Sequence, residues 1–182
     1  MKWFMVLGAG EFQLPLIRAA KAKGMRVAVV SIPGDYPGFA EADASVLCDV
    51  RDKEAVLKAA REYEICGIAT DQTDLPVPTV AYVASRLGLP GMSEEVALNF
   101  TDKARMRRLC SRAGLPTIPA CQAGSLEEAK TFFRRIGASA ILKPVDNQGS
   151  RGVYRVDSEE ELEDKFWRAA VYSWKKEVIL EK

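Results

Sequence analysis

The chain has 182 residues, 48% of them hydrophobic and 28% charged, which is the composition of an ordinary globular protein. Lysine and arginine number 26 against 25 aspartate and glutamate, so the net charge is +1 and no global field attracts nucleic acid or an acidic membrane. The chain contains no histidine, which excludes Ser-His-Asp and Cys-His catalysis and histidine-built metal sites within it.

Cysteine usage and the start of the chain indicate the compartment. The four cysteines, Cys48, Cys66, Cys110 and Cys121, are widely spaced and form no Cys-x-x-Cys pair, as is typical of a reducing environment. The first apolar run is too short for a signal peptide, and no stretch approaches the roughly 20 apolar residues that span a bilayer. We therefore expect a cytoplasmic protein that binds neither membranes nor nucleic acid.

The first half of the chain alternates strands and helices. Strands are predicted over residues 2–7, 26–31, 45–49 and 65–70, with helices after Gly10, from Asp52 and over Val77–Leu87, and a loop over 33–38. Continuous apolar strands that alternate with helices are typical of a doubly wound parallel sheet. The punctuation Gly88-Leu89-Pro90-Gly91 ends this unit, so the predicted domains are 1–91 and 92–182.

Two turns of this first domain are candidates for small-molecule contacts. The segment Gly8-Ala9-Gly10-Glu11-Phe12-Gln13 resembles the start of a dinucleotide fingerprint, but Gln13 stands where a third glycine is expected and Ser31 replaces the acidic ribose ligand. A structural tight turn and an NAD(P) site both remain open, and Glu11 is placed to face a small substrate. Asp71 and Asp74 follow the fourth strand, where substrate binding and ordinary turn chemistry are both open.

The second half has a different order of predicted helices and strands. Helices are predicted over 93–100 and 102–113, then strands over 117–120, 139–143, 152–156 and 177–182, with two helices that begin at the capping boxes Ser125/Glu128 and Ser158/Glu161. The helix that starts at Asp102 is basic, and most of its charges are expected to be solvated. Lys103 in its first turn opposes the helix dipole, which a bound anion would explain.

The segment from Lys143 to Gly152 carries the strongest signal. We expect Lys143 to end a buried strand with its ammonium beyond the sheet edge, and Pro144 to stop the ladder. The residues that follow, Asp146-Asn147-Gln148-Gly149-Ser150-Arg151-Gly152, form a loop whose amides can turn inward. A lysine with backbone amides suits a nucleoside triphosphate, while a plain hairpin loop is the alternative.

Taken together, these motifs resemble the ATP-grasp superfamily, in particular its carbamoyl-phosphate-synthase-like and biotin-carboxylase-like members. The resemblance rests on Gly8-Ala9-Gly10-Glu11, Arg86-Leu87-Gly88-Leu89-Pro90-Gly91, Thr101-Asp102-Lys103, Ala113-Gly114-Leu115-Pro116-Thr117-Ile118-Pro119, Leu142-Lys143-Pro144, Gly149-Ser150-Arg151-Gly152-Val153 and Val178-Ile179-Leu180-Glu181-Lys182. It implies an α/β fold in which a Rossmann-like pre-ATP-grasp domain precedes the first subdomain of an ATP-grasp fold.

The resemblance also implies roles for individual residues. The ATP-binding residues would be Lys103 and Lys143 at the phosphates, Gly149, Ser150, Arg151 and Gly152 in the covering loop, and Glu181 and Lys182 on the hinge strand against adenine. The first domain would present a carboxylate substrate, with Glu11, Asp71 and Asp74 as candidates. Members of this family phosphorylate a carboxylate to an acyl phosphate, which an amine or similar nucleophile then attacks.

In that family the magnesium ligands and the catalytic arginine follow the hinge strand, so we expect no metal site and no catalytic residue within residues 1–182. The chain is accordingly expected to be the N-terminal part of an ATP-dependent ligase, without ligase turnover of its own, that pairs with a complementary C-terminal half or forms a homodimer. Two alternatives remain open. One is a non-catalytic or split-subunit homologue that binds a metabolite or partner, and the other is a Rossmann NAD(P)-dependent oxidoreductase.

Overall fold

The computed structural model describes residues 1–182 and divides into two compact units, Met1–Ala97 and Leu98–Lys182. Each unit has its own sheet and its own apolar core. The predicted domain boundary after residue 91 falls inside the first unit and stays a prediction. No helix of the protein combines the length and apolar character required to cross a membrane.

The first unit is a four-stranded parallel sheet flanked by helices, as predicted. Its elements are β1 Trp3–Leu7, a 3-10 turn Glu11–Gln13, α1 Leu14–Ala22, β2 Arg26–Ser31, α2 Pro37–Glu41, β3 Ala44–Leu47, α3 Lys53–Glu62, β4 Ile65–Ala69, α4 Val77–Leu87 and the first part of α5 Glu94–Thr101. The strand order is β3-β2-β1-β4, so β1 and β4 are neighbours and their carboxyl ends share one edge.

Both faces of this sheet are covered because successive residues of a strand point to opposite sides. In β1, Met5 and Leu7 pack with Val56 and Val83 of the helices α3 and α4. Val6, between them, packs instead with Ile17 of α1 on the other face. The continuous apolar run of the strand, rather than an alternating one, is the signature of this two-sided burial.

One helix of the first unit lies where the sequence predicts a loop. The short helix α2 begins at Pro37, at a position where a missing N–H costs nothing. The next residue, Gly38, donates its N–H to the Ala9 carbonyl at 2.8 Å, and a Cβ on it would stand 2.7 Å from that oxygen. The predicted loop over 33–38 is confirmed for residues 33–36 and is wrong at 37 and 38, where the proline and glycine mark a helix start and a close approach to the turn after β1.

The second unit is a four-stranded antiparallel sheet in the order β5-β8-β6-β7. Its elements are the rest of α5, α6 Lys103–Arg112, β5 Ala120–Ala123, α7 Leu126–Ile136, β6 Ala140–Pro144, β7 Tyr154–Val156, α8 Glu159–Ala170 and β8 Val178–Glu181. The predicted strand over 117–120 was placed too early, since β5 begins at Ala120, where pairing with β8 starts.

The strand β6 ends at Pro144, as predicted, but one further backbone hydrogen bond to the β8 side follows the proline. Pro144 pairs with Val178 as the last residue of β6, and the next amide, Val145 N, donates to the Glu177 carbonyl at 3.2 Å. Because N–H groups alternate sides along a strand, the missing N–H of Pro144 faces the β7 side, where pairing ends at Leu142. The proline therefore removes no bond that the sheet requires.

The two helix starts predicted as capping boxes differ in detail. Ser125 and Glu128 form the full reciprocal box at the start of α7. At the start of α8, Ser158 accepts from Glu161 N, but the Glu161 side chain accepts from the Asp157 amide at 3.1 Å instead of that of Ser158. The helix begins where predicted, with one of the two predicted cap bonds moved by one residue.

The faces of the second sheet have different partners. Leu142 and Leu180 pack with Phe132 of α7 and Phe166 of α8 on one face. Ile179 and Val145 pack on the other face with Ala104 of α6. Side chains at odd numbers in β6 and β8 therefore point toward α6.

Candidate functional site

Pleat alternation brings charged side chains of β6, β8 and α6 together. Lys143 and Glu181 both project toward α6, the face that Ile179 shares. The Lys143 ammonium lies 2.5 Å from Glu181 Oε2, an ion pair between adjacent strands. The expectation that Lys143 points past a sheet edge was wrong, since β6 lies between β8 and β7 in the interior of the sheet.

The Glu181 carboxylate holds a second cation. Its Oε1 accepts a hydrogen bond from Arg107 Nε of α6 at 2.7 Å. Only 4% of the residue is exposed. Burial raises the pKa of Glu181, but the hydrogen bonds from Arg107 and Lys143 outweigh it, and the net shift is downward. Glu181 is therefore a buried carboxylate that its two cations keep ionised.

Arg107 was missed by sequence reasoning, which expected most charges of this helix to be solvated. A usable signal was present: Arg107 lies four residues after Lys103, so the two share one face of α6. With Lys103 predicted to contact an anion, that spacing places Arg107 toward the same region of the sheet.

Lys103 is the first residue of α6 and contacts the loop after β6. Its ammonium donates to the Asn147 carbonyl, and its backbone N–H donates to the Val145 carbonyl at 2.9 Å. The side-chain ammonium and the backbone amide of this residue thus both reach the segment that follows Lys143. The structure brings the two predicted phosphate lysines, 103 and 143, to opposite ends of one short stretch of chain.

The loop between β6 and β7 makes its turn with residues in the left-handed region. Gly149 has φ 69°, Ser150 57° and Gly152 73°, while Arg151 between them is exposed. Successive backbone N–H groups of such a turn can point to one side and form a concave anion site. Gly152 itself is buried, and a Cβ there would stand 2.8 Å from Tyr172 and 3.0 Å from Pro144.

The stem of this loop is fixed by the segment before β8. The Asp146 carboxylate accepts from the backbone N–H of Trp174 at 3.0 Å and of Lys175 at 3.2 Å. The Lys175 ammonium pairs with Asp102, the N-cap of α6, which also accepts from Arg105 N at 2.9 Å. Burial raises the pKa of Asp102, but the Lys175 and Arg105 hydrogen bonds lower it further, so the net shift is downward.

Lys182 follows β8 directly. Its backbone N–H donates to the Pro119 carbonyl at 3.0 Å, which continues the alignment of β8 beside the segment that leads into β5. The side chain is exposed. Its predicted place against adenine stays a prediction.

Parts of the chain are similar to known proteins. Residues 102–182 match the family described as carbamoyl-phosphate synthase L chain, ATP binding domain. The biotin carboxylase domain dimer of Hydrogenobacter thermophilus 2-oxoglutarate carboxylase, solved with MgADP, ADP and bicarbonate, superposes on 100% of the chain with a TM-score of 0.78 and 25% identity. The chain covers 44% of that structure.

Residues 102–182 thus match an ATP-binding domain of the ATP-grasp superfamily.

Two curated relatives extend the match into the first unit. A formate-dependent phosphoribosylglycinamide formyltransferase of Rhodococcus jostii is 31% identical over 81% of the chain, and an alanine–anticapsin ligase of Bacillus subtilis is 32% identical over 65% of it. The chain spans 37% of the first relative and 25% of the second. All predicted ATP-binding residues lie within the ATP-grasp match at 102–182, and the predicted substrate residues lie outside it.

In the first unit, the substrate candidates lie in turns at the carboxyl ends of neighbouring strands β1 and β4. Glu11 is exposed in the 3-10 turn after β1, and Asp71 follows β4. The Asp74 carbonyl accepts from Val77 N at 3.1 Å at the start of α4. The strand order thus brings Glu11 and Asp71 to one sheet edge.

Gln13 joins the two turns of that edge. Its Oε1 accepts from Gly10 N at 3.1 Å, its Nε2 donates to the Asp71 carbonyl at 2.5 Å, and the residue is buried. A Cβ on Gly8 would meet the Gln13 side chain at 3.0 Å. The Gln13 side chain therefore occupies the Gly10 N–H, at the position whose glycine approaches the pyrophosphate in a dinucleotide fingerprint, and it ties this turn to the turn after β4.

Proposed function

We propose that the second unit binds ATP, with the Lys103 and Lys143 ammoniums and the amides of Gly149, Ser150, Arg151 and Gly152 at the phosphates. The observation that carries the proposal is that Lys103 donates to the Val145 and Asn147 carbonyls, which places it at the start of the loop that directly follows Lys143. The Lys103 ammonium donates to a carbonyl, and the Lys143 ammonium pairs with a carboxylate that has a second cation. Both can exchange that partner for a phosphate oxygen.

The adenine side of the proposal rests on β8. Glu181 ends β8, an inner strand of the sheet, where it pairs with Lys143 of β6, and Lys182 follows directly. Backbone groups at the end of such a strand suit the donor and acceptor edge of a purine. The residues therefore suit both parts of ATP. The lysines and the turn of backbone amides suit the triphosphate, and the end of β8 suits the adenine.

We propose further that the whole protein is an ATP-dependent ligase that activates a small carboxylate as an acyl phosphate for attack by an amine or similar nucleophile. ATP supplies the phosphoryl group in that chemistry. The names of the similar proteins support the substrate class, because formate, alanine and bicarbonate each offer a carboxylate oxygen. Glu11, Asp71 and Asp74 are proposed as the contacts of the first unit with the acceptor substrate.

Magnesium does not enter this proposal through the present residues. No group of three or more Asp, Glu, Cys or His side chains suited to a metal ion is found in residues 1–182, so Mg²⁺ is assigned no ligand here. The protein solved with MgADP belongs to the same superfamily, and Mg²⁺ is proposed for the complete enzyme. We also propose a cytoplasmic location, consistent with four free cysteines, and either a homodimer or a complementary C-terminal half as partner.

An NMR titration of the 182-residue chain with ATP and with NADH tests the proposal. We expect ATP to shift the amide signals of residues 103, 143 and 149–152. The dependence of these shifts on ATP concentration gives the dissociation constant, even where binding is weak. Lys143→Met and Lys103→Met should each weaken ATP binding about tenfold, the effect of one charged hydrogen bond. Lys58→Met, which removes a side chain that is 80% exposed in the first unit, is the charge-matched control.

Unchanged ATP affinity in both lysine variants would show that the phosphate site lies elsewhere. NADH binding without any response to ATP would overturn the ligase proposal as a whole.

A further inference from the structure

The Glu181 carboxylate is shared between two cations that come from different elements. Lys143 of β6 lies 2.5 Å from Oε2, and Arg107 of α6 lies 2.7 Å from Oε1. The Glu181 side chain is 5% exposed, against 18% for Lys143 and 36% for Arg107. Each oxygen of this buried carboxylate therefore has its own charged donor.

The proposed ATP site requires Lys143 to leave this arrangement. An ammonium that binds a phosphate oxygen gives up some or all of its contact with Glu181. A buried carboxylate that loses its only cation is strongly destabilised, and it responds by taking up a proton or by retaining the lysine. Either response would weaken nucleotide binding near neutral pH.

Arg107 removes that conflict. Its bond is to the other carboxylate oxygen, so it does not compete with Lys143 for a position and its contact with Glu181 does not depend on that lysine. The guanidinium remains protonated at every working pH, and it comes from the helix that also carries Lys103. The spacing of four residues between Lys103 and Arg107 fixes both on one helix face.

We propose that Arg107 is a positioning residue for ATP binding: it holds Glu181 as an anion in its strand so that Lys143 is free to pair with a phosphate. The proposal rests on the proposed function, since it requires ATP at Lys143. Arg107 itself does not touch the nucleotide in this assignment.

The test combines Arg107→Met with Arg112→Met as control, an exposed arginine of the same helix whose loss changes the charge equally. In the free chain, the carboxyl ¹³C signal of Glu181 should titrate at higher pH in Arg107→Met than in wild type. With ATP, Arg107→Met should bind about tenfold more weakly at pH 7, as expected for a charged hydrogen bond, while Arg112→Met binds like wild type.

A protonation readout separates this role from a merely structural one. In Arg107→Met, ATP binding should be coupled to proton uptake, seen in calorimetry with buffers of different ionisation enthalpy, and the deficit should shrink toward pH 5. Wild type should show no such uptake. Arg107→Lys should restore part of the affinity, which also covers the case in which Arg107→Met folds poorly.

The decisive experiment is a double-mutant cycle with Glu181→Gln, which removes the need for a counter-ion. In that background, Arg107→Met should change ATP affinity less than twofold, against about tenfold in wild type. Equal losses in both backgrounds would overturn the inference, as would an Arg107→Met variant that binds ATP like wild type. Absence of ATP binding by wild type would instead overturn the proposed function, and the inference with it.

Discussion

Gly152 is where the loop after β6 is most sensitive to a single methyl group. The residue is buried with φ 73°, and a Cβ would stand 2.8 Å from Tyr172 Cδ2 and 3.0 Å from Pro144 Cγ. Gly149, three residues earlier in the same loop, has φ 69° but no atom within 4 Å of its Cβ position. The pair Gly152→Ala and Gly149→Ala thus separates backbone strain from crowding.

The expected magnitudes follow from these contacts. The left-handed conformation costs an L-residue about 1–2 kcal/mol, and this term applies to both variants. Crowding adds about 1–3 kcal/mol at Gly152 alone, because Pro144 lies in a strand and cannot yield as a flexible side chain would. Gly149→Ala is therefore expected to lower the free energy of unfolding by about 1 kcal/mol, and Gly152→Ala by about 3 kcal/mol.

Urea unfolding of the second unit, followed by the fluorescence of Trp167 and Trp174, measures both values. Tyr172→Ala should remove part of the crowding, so the cost of Gly152→Ala should be smaller in that background than in wild type. Equal costs for Gly149→Ala and Gly152→Ala would refute the reasoning, and so would a cost of Gly152→Ala that Tyr172→Ala leaves unchanged.

Two further predictions concern the first unit and the dependence on pH. Gln13→Gly restores the spacing of a dinucleotide fingerprint, but it should lower the free energy of unfolding by about 1–3 kcal/mol, because Gly10 N and the Asp71 carbonyl lose their hydrogen-bond partner. The control is Gln13→Glu, which keeps the acceptor for Gly10 N but not the donor to Asp71. We expect no NADH binding by Gln13→Gly, and a stable variant that binds NADH would contradict this prediction. The second unit should be most stable above the ordinary carboxyl pKa of about 4 and lose stability as the pH falls through the depressed pKa values of Glu181 and Asp102, because the unfolded chain then binds more protons. Urea unfolding between pH 7 and pH 3 should show this slope, and Glu181→Gln should flatten it; an unchanged slope in Glu181→Gln would exclude Glu181 as its source.

The sequence predicts the elements of this fold well where burial is two-sided or a cap is strong. The run Arg26–Ser31 is continuous and apolar because β2 is covered on both faces, and the observed strand has the predicted bounds. Helix α4, Val77–Leu87, likewise has the predicted bounds, and it ends at Gly88 in the left-handed conformation. In contrast, β5 has the short sequence Ala-Cys-Gln-Ala, and its identity as a strand depends on pairing with β8, which no local pattern contains.

The candidate site divides in a similar way. Lys143 and Lys103 are visible in sequence because each stands in a distinctive local setting, at a strand end before proline and in the first turn of a helix. Arg107 is not, since it is one of several basic residues of α6 and its importance comes from Glu181, which lies 74 positions away in the chain. Charge pairing at that range depends on the sheet order, and the sheet order is set by contacts between strands rather than by the residues around Arg107.

The position of β8 between β5 and β6 sets an order of events during folding. In the first unit, all four strands are complete by Ala69, so its sheet can form as soon as that segment has left the ribosome. In the second unit, β5 pairs only with β8, the last of the four strands in sequence. Until residues 178–181 are synthesised, β5 has no partner and β6 and β7 form only a hairpin. Pairing over such a sequence distance is slow and leaves strand edges open in the meantime, so this unit is the one whose folding intermediates are exposed to aggregation and to chaperones.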